Sequence, residues 1–271
     1  MVVIKEKEFK RFTEYIHKNY GIHLKGEKLS LVAGRLQNVF TGSDFKNFSE
    51  YYDHVVSDKT GNAAAMLIER ITTNHTFFMR EIKHFDYFKN VVLPYLANTV
   101  KDRDLRIWSA GCSSGEEPYT LAMVIDEFLR TDKLGWDARI LATDISNKVL
   151  DMGRKGVYKN EALGTLPKHW RSLYFKKYND ENSIICDKIK KEVIFRKLNL
   201  MESFFPFKKK FHVIFCRNVM IYFDSKTRKR LVNKFYNHTL YGGYLFIGHS
   251  ESINGEGSDY KYIMPAVYRK E

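Results

Sequence analysis

The 271-residue sequence predicts an α/β protein, a mostly parallel sheet with helices on both faces, preceded by an all-helical segment. Three observations lead there. From about residue 106 onward, short apolar runs alternate with amphipathic ones. The first of these runs passes through small residues and two glycines straight into a helix. Before residue 70, apolar residues recur at spacings of three and four and never alternate strictly.

Taken in order, Phe9, Phe12, Ile16 and Tyr20 fall on one face of a first helix. Leu31, Val32, Leu36, Val39 and Phe40 mark a second, Phe45, Phe48, Tyr52 and Val55 a third, and Met66, Leu67 and Ile71 a fourth. A polar cluster, Thr72 to Thr76, then abuts Phe77-Phe78 and the charged pair Arg80-Glu81. Its Thr and Asn residues either simply cap the next helix, which carries Phe85, Phe88, Val91 and Val92, or serve a site, and Pro94 and the Lys101–Asp104 charge cluster are expected to close that helix. The central stretch follows: Ile107-Trp108-Ser109-Ala110 reads as a buried strand, Gly111 to Gly115 as a tight loop, and Glu116 or Glu117 opens a helix with Pro118 in its first turn. Further strands are expected at Arg139–Thr143, Val193–Leu198, His212–Cys216 and Tyr244–Gly248, with helices from Asn147 and Asp224, and the tail near Ala266–Arg269 adds an edge strand. Between about 168 and 192 the alternation breaks. Tyr174-Phe175-Lys176 and Ser183-Ile184-Ile185 flank a polar turn, which predicts a small antiparallel β insertion. The expected domains are thus residues 1–75, helical, and 76–271, built on the sheet.

Ligands of open parallel sheets lie beyond the carboxyl ends of the strands. Those ends carry Gly111, Asp144, Asn199 and Asn218. The loop has Gly111 and Gly115 but no Lys, and two carboxylates follow it, so it suits a pyrophosphate badly. A ribose-bearing ligand with cationic groups, of the S-adenosylmethionine kind, fits better. Asp144 is placed to accept from ribose hydroxyls, although as a helix cap it has a purely structural reading too. Glu117 either meets a ligand ammonium or simply favours its helix N-terminus. Arg80 beside aromatic rings either snorkels or meets an anion.

Composition narrows the class. Hydrophobic residues make up 44% and charged residues 28%, ordinary for a globular chain. No apolar run approaches the ~20 residues of a membrane span, and the N-terminus does not read as a signal peptide. Cys112, Cys186 and Cys216 are few and scattered, which argues against a disulfide scaffold or a cysteine zinc site, so no metal and a reducing cytoplasm are expected. The net charge is +13, and between Lys148 and Lys210 there are 16 Lys or Arg against 7 Asp or Glu. An acidic partner is implied: nucleic acid, an anionic membrane or an acidic protein.

Five ordered blocks carry a resemblance. Ile71-Thr72-Thr73-Asn74-His75-Thr76-Phe77-Phe78-Met79-Arg80-Glu81, Ser109 to Tyr119, Ala142-Thr143-Asp144-Ile145, Ile214 to Phe223 and Gly248-His249-Ser250-Glu251 resemble the signature blocks of the CheR family, the chemotaxis receptor glutamate methyltransferases. The resemblance spans essentially the whole chain. It implies a Rossmann-like S-adenosylmethionine-dependent methyltransferase domain behind an all-α receptor-docking domain. It also implies methylation of glutamate carboxylates on the cytoplasmic helices of chemoreceptors, with S-adenosylhomocysteine as product. Asn74, Thr76, Arg80, Glu117, Asp144, Asn199, Leu200, Asn218 and Val219 match the family's cofactor contacts, and Gly111 joins them as the loop glycine. Arg80 and Tyr222 match residues proposed to face the substrate carboxylate. Lys25, Lys28 and Arg35 would run along acidic receptor helices.

Some members grip a receptor tail peptide through a glycine-rich turn in the β insertion. Asn179-Asp180-Glu181-Asn182-Ser183 has no glycine, so binding independent of such a tether is expected. A monomer without membrane insertion completes the expectation. The rivals are a nucleic-acid methyltransferase, a non-catalytic receptor-binding module and, weakest, a dehydrogenase. All five prolines are isolated, so the Pro-Pro block typical of amino-group methylases of nucleic acids is missing.

Overall fold

The computed structural model describes residues 2–24, 26, 29–41, 43–72, 75–130, 135–253 and 257–271. Four helices come first. In α1 (Glu6–Tyr20), Lys5 N donates to Glu8 Oε2 at 2.8 Å, and Gly21 ends the helix with a left-handed φ of 70°. Next come α2 (Leu29–Phe40), α3 (Phe48–Ser57), capped by Asn47 Oδ1 on Glu50 N at 2.9 Å, and α4 (Asn62–Ile71). Phe12, Ile16, Val32, Leu36, Phe48 and Leu67 form their common core. Leu31 and Met66, expected inside, face outward, and Tyr51 rather than Tyr52 is the buried tyrosine of α3.

Pro94 does not stop the fifth helix. α5 (Ile82–Tyr87) runs into a π-helical turn, Phe88–Val92, and on into α6 (Leu93–Thr99). Proline lacks the N–H that an α-helical bond needs. A wider turn just before it carries the axis past that gap, so the helix bends its hydrogen-bond pattern instead of ending.

β1 (Ile107–Ala110), α7 (Glu116–Leu129), β2 (Ile140–Asp144) and α8 (Asn147–Lys155) build the centre of the sheet. A small antiparallel sheet follows, made of β3 (Val157–Lys159), then β4 (Phe175–Lys177) behind α9 (Lys168–Tyr174), and β5 (Asn182–Ile185), with β5 in the middle. Its third strand, β3, lies ahead of the 168–192 segment expected to hold the insertion. After α10 (Asp187–Lys190) the chain returns to the main sheet as β6 (Val193–Lys197), β7 (Phe211–Cys216), α11 (Ser225–His238), β8 (Thr239–Ile247), β9 (Lys261–Met264) and β10 (Val267–Arg269). The strand order is β6-β2-β1-β7-β8-β10-β9. β10 pairs antiparallel to both β8 and β9, so the tail strand is internal and β9 takes the edge.

Side chains alternate between the two faces of the sheet, as the pleat requires. Ile107, Val213, Phe215 and Phe246 join a core with α5, α6, α7 and the small sheet. Trp108, Ala110, Ile214, Leu245 and Ile247 join α11 and the interior of the first four helices. The helical segment therefore shares a core with one face of the sheet and covers one side of the strands' carboxyl ends. β1 pairs in parallel with β2 on one side and β7 on the other, so the connections diverge there and leave a crevice.

Candidate active site

At the exit of β1, Gly111 N and Cys112 N both donate to Thr143 O, at 2.8 and 2.9 Å. Gly111 has a φ of +80°, and a Cβ there would lie 2.4 Å from Val219 Cγ2. Bare backbone is thus required where loop and opposite wall meet. Asp144 ends β2, its Oδ2 accepting from Ser113 N at 2.9 Å and its Oδ1 from Ser146 N at 3.1 Å. Burial pushes its pKa up, against these backbone donors. With Ile145 as a third backbone donor, the carboxylate's roughly four lone-pair sites still leave room for a ligand hydroxyl.

Glu117 stands in the first turn of α7. Ser109 Oγ donates to its Oε1 at 2.7 Å and Arg217 Nη1 to its Oε2 at 3.1 Å. Burial raises its pKa, while Arg217 and Ser109 pull it down. The expected ligand-facing acid therefore already has a cationic partner from the protein.

Arg217, just beyond β7, organises this side of the cleft. Its side chain is 2% exposed, and Nε and Nη2 donate to Glu81 Oε2 at 3.2 and 3.0 Å. Nη2 also holds the carbonyl of Arg80, and the guanidinium lies 5.2 Å from the Phe85 ring centroid. Burial alone would raise the pKa of Glu81. Arg217, with donors from His249 N and Asn218, more than offsets it and holds the carboxyl low. Asn218 follows in a left-handed conformation, φ 59°, its N–H on Glu251 Oε2 at 3.0 Å and its Nδ2 on Glu81 Oε1 at 3.3 Å. Glu251 also accepts from Gly248 N at 2.6 Å and Ile221 N at 3.1 Å, tying the ends of β7 and β8 together.

Arg80 sits between two left-handed residues, Met79 at φ 60° and Glu81 at φ 57°. Such backbone is uncommon outside glycine and persists where surrounding contacts enforce it. Here the enforcing contacts are those of Arg217. Arg80 Nη1 donates to His75 O at 2.5 Å, and its guanidinium carbon lies 6.0 Å from the Phe77 ring centroid. It makes no ion pair with a described residue. Tyr222 lies in a short 3₁₀ turn, Met220–Tyr222, whose last carbonyl accepts from His23 N at 2.8 Å.

Thr76, Arg80, Gly111, Glu117, Asp144, Asn199, Leu200, Asn218, Val219 and Tyr222 all line one cleft, enclosing about 1070 Å³ of empty space with its mouth. Asn74, also expected there, lies outside the described residues, as do Lys25 and Lys28. Asn199 has a structural duty as well, its Nδ2 donating to Asn19 O at 2.8 Å and its Oδ1 accepting from Met201 N at 3.0 Å. Sequence reasoning alone does not single out Arg217 and Glu81, although they adjoin the expected site residues Asn218 and Arg80. Tyr20, Ile22 and Phe223 were missed as walls, because nothing local marks a helix end as part of a distant cleft. Arg35, expected on a docking face, donates Nη1 to Ile71 O at 2.5 Å.

The donor set fits S-adenosylmethionine: a pinned carboxylate with free lone pairs, a glycine cradle, and acidic groups rather than lysines around the loop. It gives a pyrophosphate nothing equivalent.

Comparison with known proteins agrees. Residues 7–72 match the family model described as CheR methyltransferase, all-alpha domain, and residues 74–268 the one described as CheR methyltransferase, SAM binding domain. The chain is similar to a chemotaxis protein methyltransferase of Borreliella burgdorferi, 45% identical over 98% of this chain and 95% of the relative. A probable chemotaxis protein methyltransferase of Rhizobium etli is 36% identical over 94% and 99%, and chemotaxis protein methyltransferase 1 of Pseudomonas aeruginosa is 34% identical over 94% of each.

Proposed function

Since the chain belongs to the CheR methyltransferase family, with S-adenosylmethionine as cofactor, we propose that it methylates glutamate side-chain carboxylates on the cytoplasmic helices of chemoreceptors. The products are glutamate methyl esters and S-adenosylhomocysteine. The observation that carries this reading is Arg80, a cation without an acidic partner among the described residues, in the same cleft as Tyr222, Asp144 and the Gly111 cradle.

The bound cofactor supplies an electrophilic sulfonium methyl. Asp144 would hold its ribose, Gly111 would let the backbone approach it, and Leu200 and Val219 would give apolar walls. A glutamate carboxylate has a pKa of about 4.3 and is ionised at pH 7, so no general base is needed. What the chain contributes is orientation, worth roughly 7–11 kcal/mol when reacting groups are held in near-attack geometry. Arg80 and Tyr222 would hold one oxygen of the substrate carboxylate and leave the other free to react. Arg217 fixes Arg80 from behind through its carbonyl.

We read residues 1–75 as the docking domain and 76–271 as the catalytic one, acting as a cytoplasmic monomer. Tether independence has support in the β4–β5 turn. Asn179 closes it with its own side chain, Oδ1 accepting from Asn182 N at 2.8 Å, and no glycine is present. A receptor tail peptide binding with micromolar affinity contradicts that part.

The test is incubation with methyl-labelled S-adenosylmethionine and receptor-containing membranes, followed by mild alkali. Volatile labelled methanol is expected from a carboxyl ester. Label that stays on the protein, or enters nucleic acid instead, refutes the assignment.

A further inference from the structure

Outside the cleft, the seam between the helical segment and the sheet brings together three metal-ligating side chains. His17, His23 and Asp224 place one donor atom each within 4.8 Å of the others. We propose that these three residues form a binding site for one divalent transition ion of the zinc class, with water completing its coordination, and that the ion staples α1 to the segment carrying Tyr222.

The ligands are held by backbone that is already fixed. His17 occupies the last turn of α1, and Gly21, at φ 70°, reverses the chain so that His23 returns toward it. A side chain at position 21 is disfavoured by that φ, and its Cβ, 2.4 Å from Met201 Sδ, would push the Met201 side chain aside. His23 N donates to Tyr222 O at 2.8 Å, and Ile22 pairs with Phe223 as an isolated antiparallel bridge. Asp224 caps α11, its Oδ1 accepting from Thr227 N at 2.7 Å, which leaves Oδ2 outward. Oδ2 meets His17 Nε2 at 2.7 Å.

Zinc–ligand bonds of about 2.0–2.1 Å in a tetrahedron put donors roughly 3.3 Å apart. The His17–Asp224 pair opens by about half an ångström and the third donor closes by at most about 1.5 Å, within side-chain rotation. Two imidazoles and one carboxylate suit zinc, cobalt or nickel, not calcium or magnesium. All three side chains are partly or fully exposed, so an ion and its water have access. Because the site uses no cysteine, and its third ligand lies about 200 residues from the others, neither cysteine count nor spacing announces it.

A second trio, Glu81, His84 and His249, has similar spacing but a poorer environment. The Arg217 guanidinium occupies Glu81 Oε2 at 3.0 Å and repels a cation there. It serves as the internal control.

Metal-stripped full-length protein is titrated with zinc chloride by calorimetry, and with cobalt chloride by visible absorption. One equivalent is expected to bind, with the intense bands of a tetrahedral cobalt site. His23→Gln, which leaves the His17–Asp224 pair intact, is expected to weaken binding at least about tenfold, the lower end for losing even a supporting group. His249→Gln is expected to leave it unchanged. Equal metal-free melting temperatures for wild type and variants establish folding. No one-equivalent binding, binding that survives a His17→Gln/His23→Gln double variant, or loss on His249→Gln instead would overturn the proposal.

Discussion

Replacing Arg217 with Met removes the one guanidinium that two carboxylates share. Its side chain is 2% exposed, and those of Glu81 and Glu117 are 14% and 15%. Removing one member of a buried ion pair costs about 3–5 kcal/mol, since the partner is left charged and poorly solvated. Here two partners are stranded. Ser109 still donates to Glu117, and Asn218 and His249 N still donate to Glu81, so the loss stays in that range instead of doubling. At about 2–4 °C per kcal/mol for a chain of this size, the melting midpoint falls by roughly 6–20 °C. The sign with pH follows from Glu81. In the wild type, Arg217 keeps its carboxyl below the unfolded value despite burial, a contribution present above the unfolded pKa and lost as pH falls through the folded one. Without Arg217, burial raises both carboxyls, and protonation then relieves the variant. The gap between wild type and Arg217→Met therefore narrows from pH 7.5 to pH 5. Urea and thermal unfolding at both values measure it, and Glu117→Gln in the variant background recovers part of the loss. A deficit under about 1 kcal/mol, or one indifferent to pH, refutes the reasoning.

Three further outcomes follow from individual contacts. Arg80→Ala costs turnover far more than affinity for S-adenosylhomocysteine if Arg80 mainly orients the substrate; equal losses in steady-state kinetics and calorimetry sink that role. Gly111→Ala combines a left-handed φ, costing about 1–2 kcal/mol, with a clash against Val219, so S-adenosylhomocysteine binding weakens by more than about tenfold. Adding Val219→Ala restores only the part due to the clash. His212 is buried, and its Nδ1 accepts from Arg106 N at 3.0 Å; burial first and Arg106 second lower its pKa to about 4. The unfolded chain takes up that proton first, so His212 contributes stability above about pH 6.5 that is lost as pH falls toward 4, on the order of 3 kcal/mol. Unfolding curves for His212→Gln should show a shallower pH slope than wild type across that window.

Much of this architecture was legible because the signals are local. The runs at Ile107–Ala110 and Val213–Phe215 are buried throughout and apolar but for Ser109, as strands covered on both faces tend to be. Their polar ends mark the cleft without any long-range information. The misses are equally physical. Lys261–Met264 is an edge strand with mostly exposed side chains, so it lacks a buried pattern. Val157–Lys159 is three residues long and exists only because β5 pairs with it. Pro94 signals a stop only if no π turn precedes it. Arg217 reads as a strand terminus, and its importance comes from carboxylates 100 and 136 positions away. Asn199 reads in sequence as a ligand contact, yet its amide also ties the sheet to Asn19 at the end of α1, a contact that only the tertiary fold creates.

The most direct measurement is a crystal structure of the full chain with S-adenosylhomocysteine. Ribose hydroxyls on Asp144, backbone contact at Gly111, and a sulfur facing the space between Arg80 and Tyr222 are expected. Density elsewhere, or a sulfur turned away from Arg80 toward the protein interior, contradicts that placement.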